Sequence, residues 1–256
     1  MNKANQMTPL TSEQIEKARI AGRNLAELFQ ALKTRVAPGI TTKSLDLWVE
    51  KEIIRRGCEI SYHDPKIGFP GSICISLNDE VVHGVPDDTV LKASDVVKFD
   101  LVIGYRGIKV DSAFTMVVGE QMDVSTKHLL DITERALYAG IETVKGPVRV
   151  GEISSAIENV LKKGKLGIVR ELCGHGIGVE QWQPPEIPNY GNRHDGPVVP
   201  VGVLLAIEPM ASLGEDAVML DEDDGWTYHM RDGSLAAHFE HTVLVTPNGC
   251  EILTQQ

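Results

Sequence analysis

The sequence predicts an α+β fold in two pseudo-symmetric halves, each giving a pair of helices followed by antiparallel strands. Two helical stretches recur with their apolar positions 108 residues apart, from Val36 and Val144 onward. At the same spacing the apolar run VVKFD at 96–100 falls on LLAIE at 204–208. Both runs end in a carboxylate, Asp100 and Glu208, so the duplication brings acidic residues together where the halves meet.

The first helix opens at a capping box, Thr11 with Gln14, and carries Ile15, Ala18, Leu25, Phe29 and Leu32 at helical spacing. Gly22 is the one weak position in that stripe, and Pro38-Gly39 limits its reach. A second helix, about 43–56, shows Leu45, Val49 and Ile53 on one side and ends at Gly57. Stretches 126–145 and 151–163 read the same way, stopped by Gly146-Pro147 and Gly164. Their apolar positions match in order: Ile40 with Val148, Leu45 with Ile153, Val49 with Ile157 and Ile53 with Leu161.

The stretch KFDLVIGYRGIKVDSAF, residues 98–114, sets one aspartate in each of two apolar runs around a turn. A turn centred on Tyr105-Arg106 places Asp100 opposite Asp111 on one face, with Cβ atoms about 4.5–5.5 Å apart. At an effective dielectric near 20 two such carboxylates repel by roughly 3 kcal/mol. Lys98 and Lys109 share the faces of their aspartates and could compensate as surface salt bridges; the alternative is a bound cation.

Composition narrows the choice. At 256 residues with 42% apolar residues, the chain can bury one large core or two small ones. It has no run of eighteen apolar residues and no apolar export segment at its start, so a cytoplasmic protein without a membrane partner is expected. Cys58, Cys74, Cys173 and Cys250 are scattered without a CxxC pair, which fits a reducing compartment and argues against structural zinc. A net charge of −11, with no basic cluster interleaved with aromatics, repels phosphate backbones and excludes nucleic acid; metal cations are the expected partners.

Three more segments favour the cation. CGHGIG flanks His175 with glycines that open the imidazole to a ligand, LLAIEPM ends an apolar strand at Glu208, and AAHFEHTVLV places Glu240 inside another, with His238 on its face and His241 on the opposite one. Four carboxylates are neutralised by two divalent ions. Hard oxygen donors with a single imidazole suit Mn, Fe(II), Co or Mg, and zinc also binds such a set.

Taken in order, IEKARIAGRNLAEL, SICISLNDEVVHGVPDD, VKFDLVIGYRGIKVDSAF, VRELCGHGIG, AIEPM and DGWTYHMRDGSLAAHFEHTVLVTPNGCEILT resemble the type I methionine aminopeptidases over nearly the whole chain. The resemblance implies the pita-bread fold, a curved antiparallel sheet covered by helices, in a single catalytic domain over 1–256 with 1–10 as a flexible tail. It implies a pair of divalent ions (Co, Mn, Fe(II) or Zn) on Asp100, Asp111, His175, Glu208 and Glu240, with Asp111 and Glu240 bridging and Glu208 also carrying protons. His83 would bind substrate and steady the tetrahedral intermediate, while Tyr62, Phe69, Cys74 and Trp226 would line an apolar pocket for the first side chain. The expected partner is the N-terminus of peptides or nascent proteins, met by a monomer.

The chain departs from that pattern in places. Gln181 and Trp182 stand where the family has an aromatic residue and a second histidine that contacts the scissile peptide; losing such a hydrogen bond costs on the order of 3 kcal/mol. His238 stands where the family usually has glutamine, so Trp182 and His238 join the candidate substrate-binding residues. YHDPKIGFP is several residues longer than the family's usual loop. Two alternatives accompany the main expectation: an Xaa-Pro aminopeptidase of the same fold, and a binding homologue with weak or no catalysis.

Overall fold

The computed structural model describes residues 7–255. Helices α1 (Ser12–Lys33) and α2 (Thr42–Arg55) open the first half, and α3 (Val124–Glu142) and α4 (Val150–Lys163) open the second. Both ends of α4 lie 108 residues beyond those of α2, so the sequence repeat is a repeat of structure. At the start of α1 the Gln14 amide donates to Thr11 Oγ1 at 3.3 Å and the Thr11 amide to Gln14 Oε1 at 2.9 Å, an arrangement worth about 1 kcal/mol. Gly22 has a packing reason: a Cβ there would stand 2.2 Å from the carbonyl oxygen of Leu253.

Nine strands form the main sheet: β1 (Glu59–Ile60), β2 (Cys74–Leu77), β3 (Val96–Tyr105), β4 (Ile108–Val117), β5 (Cys173–Ile177), β6 (Gln183–Pro188), β7 (Leu204–Ile207), β8 (Glu240–Thr246) and β9 (Gly249–Ile252). They run antiparallel in the order β1-β3-β4-β8-β7-β5-β6, with β2 also on β3 and β9 also on β8. The halves join at β4 and β8, where Ala113 pairs with Glu240 and Ser112 with His241. One face of the sheet is packed by helices. Phe29 of α1 meets Phe114 edge-on at 4.8 Å, Phe114 meets Phe99 at 5.3 Å, and Tyr138 of α3 lies 5.9 Å from His241. The alternation of strand side chains sends Asp100, Asp111 and Glu240 to the other face.

The hairpin register differs from the sequence expectation. Its two turn residues are Arg106 and Gly107, at φ 49° and 78°, the left-handed pair that a tight two-residue hairpin needs. The register therefore moves by two residues, so Asp100 pairs with Ala113 and Asp111 with Val102. A two-residue shift preserves the face, and the aspartates become diagonal neighbours rather than a directly opposed pair. The strand expected through His238 and Glu240 is also interrupted. Residues 236–238 pair with 210–212 in a separate small sheet, while β8 starts at Glu240. Pro209 has no amide to continue the β7 ladder, and its carbonyl instead accepts the Phe239 amide at 3.4 Å. Of the tail expected over 1–10, residues 1–6 lie outside the described residues. Met7 and Leu10 pack against the core, and the Leu10 amide donates to Gly202 O at 2.8 Å.

Candidate metal centre

Strand pairing assembles the candidate site in two rungs that share a face, with one rung between them. One crosses β3, β4 and β8 as Asp100, Ala113 and Glu240. In the other, Asp111 on β4 neighbours Thr242 on β8, and Thr242 pairs through Ala206 on β7 to His175 on β5. Asp111 is fixed there by its amide, which donates to Thr242 Oγ1 at 2.8 Å, while that hydroxyl donates to the Asp111 carbonyl at 2.7 Å. Glu208 follows the last residue of β7 and comes beside His175, with Oε1 3.5 Å from Nε2. The small residues Ala113 and Ala206 between the acidic positions leave room for the converging side chains.

All five predicted ligands thus meet, although they come from five strands or strand ends. Asp111, His175 and Glu240 each offer a ligand atom, and these atoms lie within 4.8 Å of one another. His175 Nε2 stands 3.9 Å from Asp111 Oδ2, and its Nδ1 is 3.0 Å from the Gly176 carbonyl, which accepts the Nδ1–H hydrogen bond and leaves the Nε2 lone pair free for a metal. Asp111 Oδ1 and Glu240 Oε1 are buried without a hydrogen-bond partner in the protein. The lysines expected as surface compensation lie elsewhere: Lys98 is buried with its ammonium on the carbonyls of Asn78 and Ala236, and Lys109 donates to Val179 O.

The electrostatics are those of a site built for cations. Burial raises the pKa of all four carboxyls. Asp100 and Glu208 add to the rise at Asp111, Asp100 adds to it at Glu208, and Asp111 leads the added effect at Glu240. Burial also holds His83, His175 and His238 down to about 4, so their imidazoles are neutral at pH 7. Neutral imidazole beside crowded carboxyls with orphaned oxygens is a donor set that fits divalent metal.

Above the ligands is a cavity of about 290 Å³ whose lining includes Tyr62, His83, Cys173, Gln181, Trp182 and Glu186. Tyr62 directs its hydroxyl to Asp100 Oδ1 at 3.4 Å and accepts from Cys74 Sγ at 3.4 Å. Phe69 and Trp226 stand behind this wall, with Tyr62 4.9 Å from Phe69 and Phe69 5.4 Å from Trp226. Cys74, Phe69 and Trp226 therefore support the pocket rather than line it. His83 is held at φ 59°, in the left-handed region, with its ring 6.4 Å from Trp226 and 6.1 Å from Tyr228. Such strain at a non-glycine residue facing a cavity makes His83 a candidate functional residue.

The departures from the family pattern also have places. His238 is 1% exposed, with Nε2 3.5 Å from Glu208 Oε2. Gln181 is buried and accepts from Ser61 Oγ at 2.7 Å, whereas Trp182 stands half-exposed at the rim. Sequence reasoning missed Tyr228, Thr242 and the fully buried Asn189, whose Nδ2 donates to Glu208 O at 3.1 Å. Only the WTYHM run hinted at the first, and nothing local marks the other two.

Residues 16–247 match the model of metallopeptidase family M24. The chain belongs to this family. A methionine aminopeptidase of Mycoplasma capricolum is 41% identical over 249 residues, covering 97% of this chain and 98% of that protein. The crystal structure of a methionine aminopeptidase from Thermotoga maritima superposes with a TM-score of 0.94 at 36% identity, covering 98% of this chain and all of that one. A prolidase from Pyrococcus furiosus shares the fold, with a TM-score of 0.78 at 23% identity, and this chain covers 66% of its length. The M24 chain is a metallo-aminopeptidase with the pita-bread fold, and its buried acid–histidine cluster accounts for the family's use of divalent metal.

Proposed function

We propose that this protein is a dinuclear-metal methionine aminopeptidase that releases the initiator methionine from polypeptides with a small second residue. The observation that carries this reading is the convergence of Asp100, Asp111, His175, Glu208 and Glu240 beneath a cavity walled by Tyr62 and His83. Relatives bearing that activity by name match along almost the whole chain, which supports it over the Xaa-Pro alternative. Retention of every ligand supports it over a non-catalytic homologue, because an unused cluster of buried charge burdens folding.

The five residues would hold two divalent ions, with Asp111, His175 and Glu240 close enough to act on one ion. Bound there, the ions supply Lewis-acid polarisation of the scissile carbonyl and lower the pKa of water. Glu208 takes the proton of the attacking water and passes it to the leaving amine. His83, neutral at pH 7, donates its N–H to the oxygen that gains charge as the carbonyl becomes tetrahedral. Tyr62, backed by Phe69, Cys74 and Trp226, gives the methionine thioether an aromatic surface. Trp182 would contact substrate from the rim, and the buried His238 would act through Glu208. On this reading the enzyme works as a cytoplasmic monomer on nascent-chain N-termini, without a nucleic-acid or membrane partner, and the net charge of −11 supports the exclusion of nucleic acid.

The test is hydrolysis of Met-Ala-Ser against peptides beginning with Leu, Ala or an Xaa-Pro bond, using metal-free protein titrated with Mn, Fe(II) and Co. Metal-dependent release of methionine is expected. Preferential cleavage of the Xaa-Pro peptide, or no release with any ion, would overturn the assignment.

A further inference from the structure

Lys98 is a large ionisable side chain buried at 1% exposure, and the reaction described above makes no use of it. Its position along β3 puts it on the face of Asp100, two rungs away, yet among the described residues it forms no ion pair with that carboxylate. The ammonium instead donates to the carbonyl of Asn78 at 2.7 Å and to that of Ala236 at 3.4 Å. Asn78 O also accepts the Ala236 amide at 3.0 Å, so three chain segments meet on one oxygen.

Each of these segments runs on into the site. Two residues past Lys98 is Asp100. Asn78, at φ 51°, starts the turn that leads through residues 80–82 to the strained His83; its amide donates to Val96 O at 2.7 Å and its Oδ1 accepts the Val96 amide at 3.0 Å. Ala236 begins the short strand that carries His238 and then Glu240. Thr115, the rung partner of Lys98, secures the same strand: its hydroxyl donates to the His238 carbonyl at 2.7 Å and accepts the His238 amide at 2.9 Å.

The other half of the molecule provides an internal control. The position 108 residues beyond Lys98 is Ala206, also fully buried and paired in the corresponding strand β7. A strand at this place therefore folds with a methyl group, and the duplicated architecture does not require a charge. A buried ammonium is tolerated only when carbonyls and nearby acids replace its water. The carbonyls of Asn78 and Ala236 provide that replacement, with the acids Glu80 and Asp79 nearby.

We infer that Lys98 is a positioning residue whose side-chain nitrogen, donating to two carbonyls, ties the Asp100 strand to the turn carrying His83 and to the strand carrying His238 and Glu240. It sets the distance from the His83 imidazole to the metal-binding carboxylates without touching substrate. The inference rests on the aminopeptidase reading for its kinetic assay, so wild-type turnover of Met-Ala-Ser is measured first.

The test uses full-length, metal-loaded Lys98→Met, which keeps the apolar stem and removes the charge. Its kcat is expected to fall about ten- to a hundredfold, the usual cost of misplacing a catalytic group, with KM changed by less than about threefold. Lys98→Ala leaves a gap beside the two carbonyls, and methylammonium should restore part of the lost turnover where the bulkier tetramethylammonium does not. A kcat for Lys98→Met within about twofold of wild type overturns the inference, since so small a change is less than one misplaced group costs. So does a Lys98→Ala enzyme indifferent to methylammonium. If Lys98→Met does not fold, Lys98→Ala refolded in methylammonium decides: recovery of fold and turnover together supports the tie, and folding without turnover refutes it. An inert wild type would count against the aminopeptidase assignment alone. The tie would then stand or fall on whether methylammonium raises the Tm of Lys98→Ala.

Discussion

Replacing Asp111 by asparagine removes one charge from the centre of the site and changes little else. Ligand oxygens of Asp111 and Glu240 lie within 4.8 Å of each other, and at an effective dielectric of about 20 two full charges at that distance repel by about 3.5 kcal/mol. In metal-free protein this repulsion is avoided by protonation, since burial and the surrounding acids raise both pKa values. The introduced amide would imitate the protonated acid, so Asp111→Asn without metal should melt within about 1 kcal/mol of wild type. Metal changes the comparison. At an ion concentration of about a hundred times Kd, binding stabilises the wild type by about 2.7 kcal/mol, which for a domain of this size raises Tm by about 5–11 °C. The variant should lose most of that rise. Calorimetric melting of EDTA-treated protein with and without added Mn or Co measures both quantities. A variant that keeps the full metal-dependent rise, or melts far below wild type without metal, would refute the account of Asp111 as a metal ligand.

Other expectations follow from single contacts. His238→Ala should lower kcat by about tenfold or more while metal stoichiometry by elemental analysis is unchanged, because His238 reaches Glu208 at 3.5 Å; unchanged turnover would remove it from the reaction. Trp182→His should raise kcat/KM on Met-Ala-Ser by about tenfold or more if the rim position can donate to the peptide, and no gain would mean that the surrounding strand has moved that role elsewhere. Gly22→Ala should destabilise the protein by about 1–3 kcal/mol in denaturant titrations, since the added methyl meets the Leu253 carbonyl at 2.2 Å. Arg19 grips Glu251 with Nε–Oε1 at 2.8 Å and holds that carboxyl below its ordinary pKa. A depressed folded pKa gives stability that is present above the unfolded value and lost as pH falls through the folded one. Arg19→Ala should therefore cost about 0.5–1 kcal/mol at pH 7, discounted for the exposure of Glu251, and progressively less as the pH falls below the ordinary glutamate range, as read from Tm along a pH series.

Periodicity and spacing determined much of this protein. Apolar stripes, capping residues and the 108-residue repeat located four helices and the two matching strands, because these signals depend on neighbours within a turn or a rung. The five candidate ligands that the fold brings to one cavity were legible too, since their motifs occur in family order. Tertiary structure decided what depends on distant partners. Local residues did not reveal that the Arg106-Gly107 turn would make Asp100 and Asp111 diagonal, or that Pro209 would divide the strand before Glu240. Nor did they reveal that Lys98 would turn from its aspartate toward two carbonyls 20 and 138 residues away in the chain. Strand alternation fixes which face a side chain takes, but the groups waiting on that face come from other strands, and only their packing sets what the side chain meets.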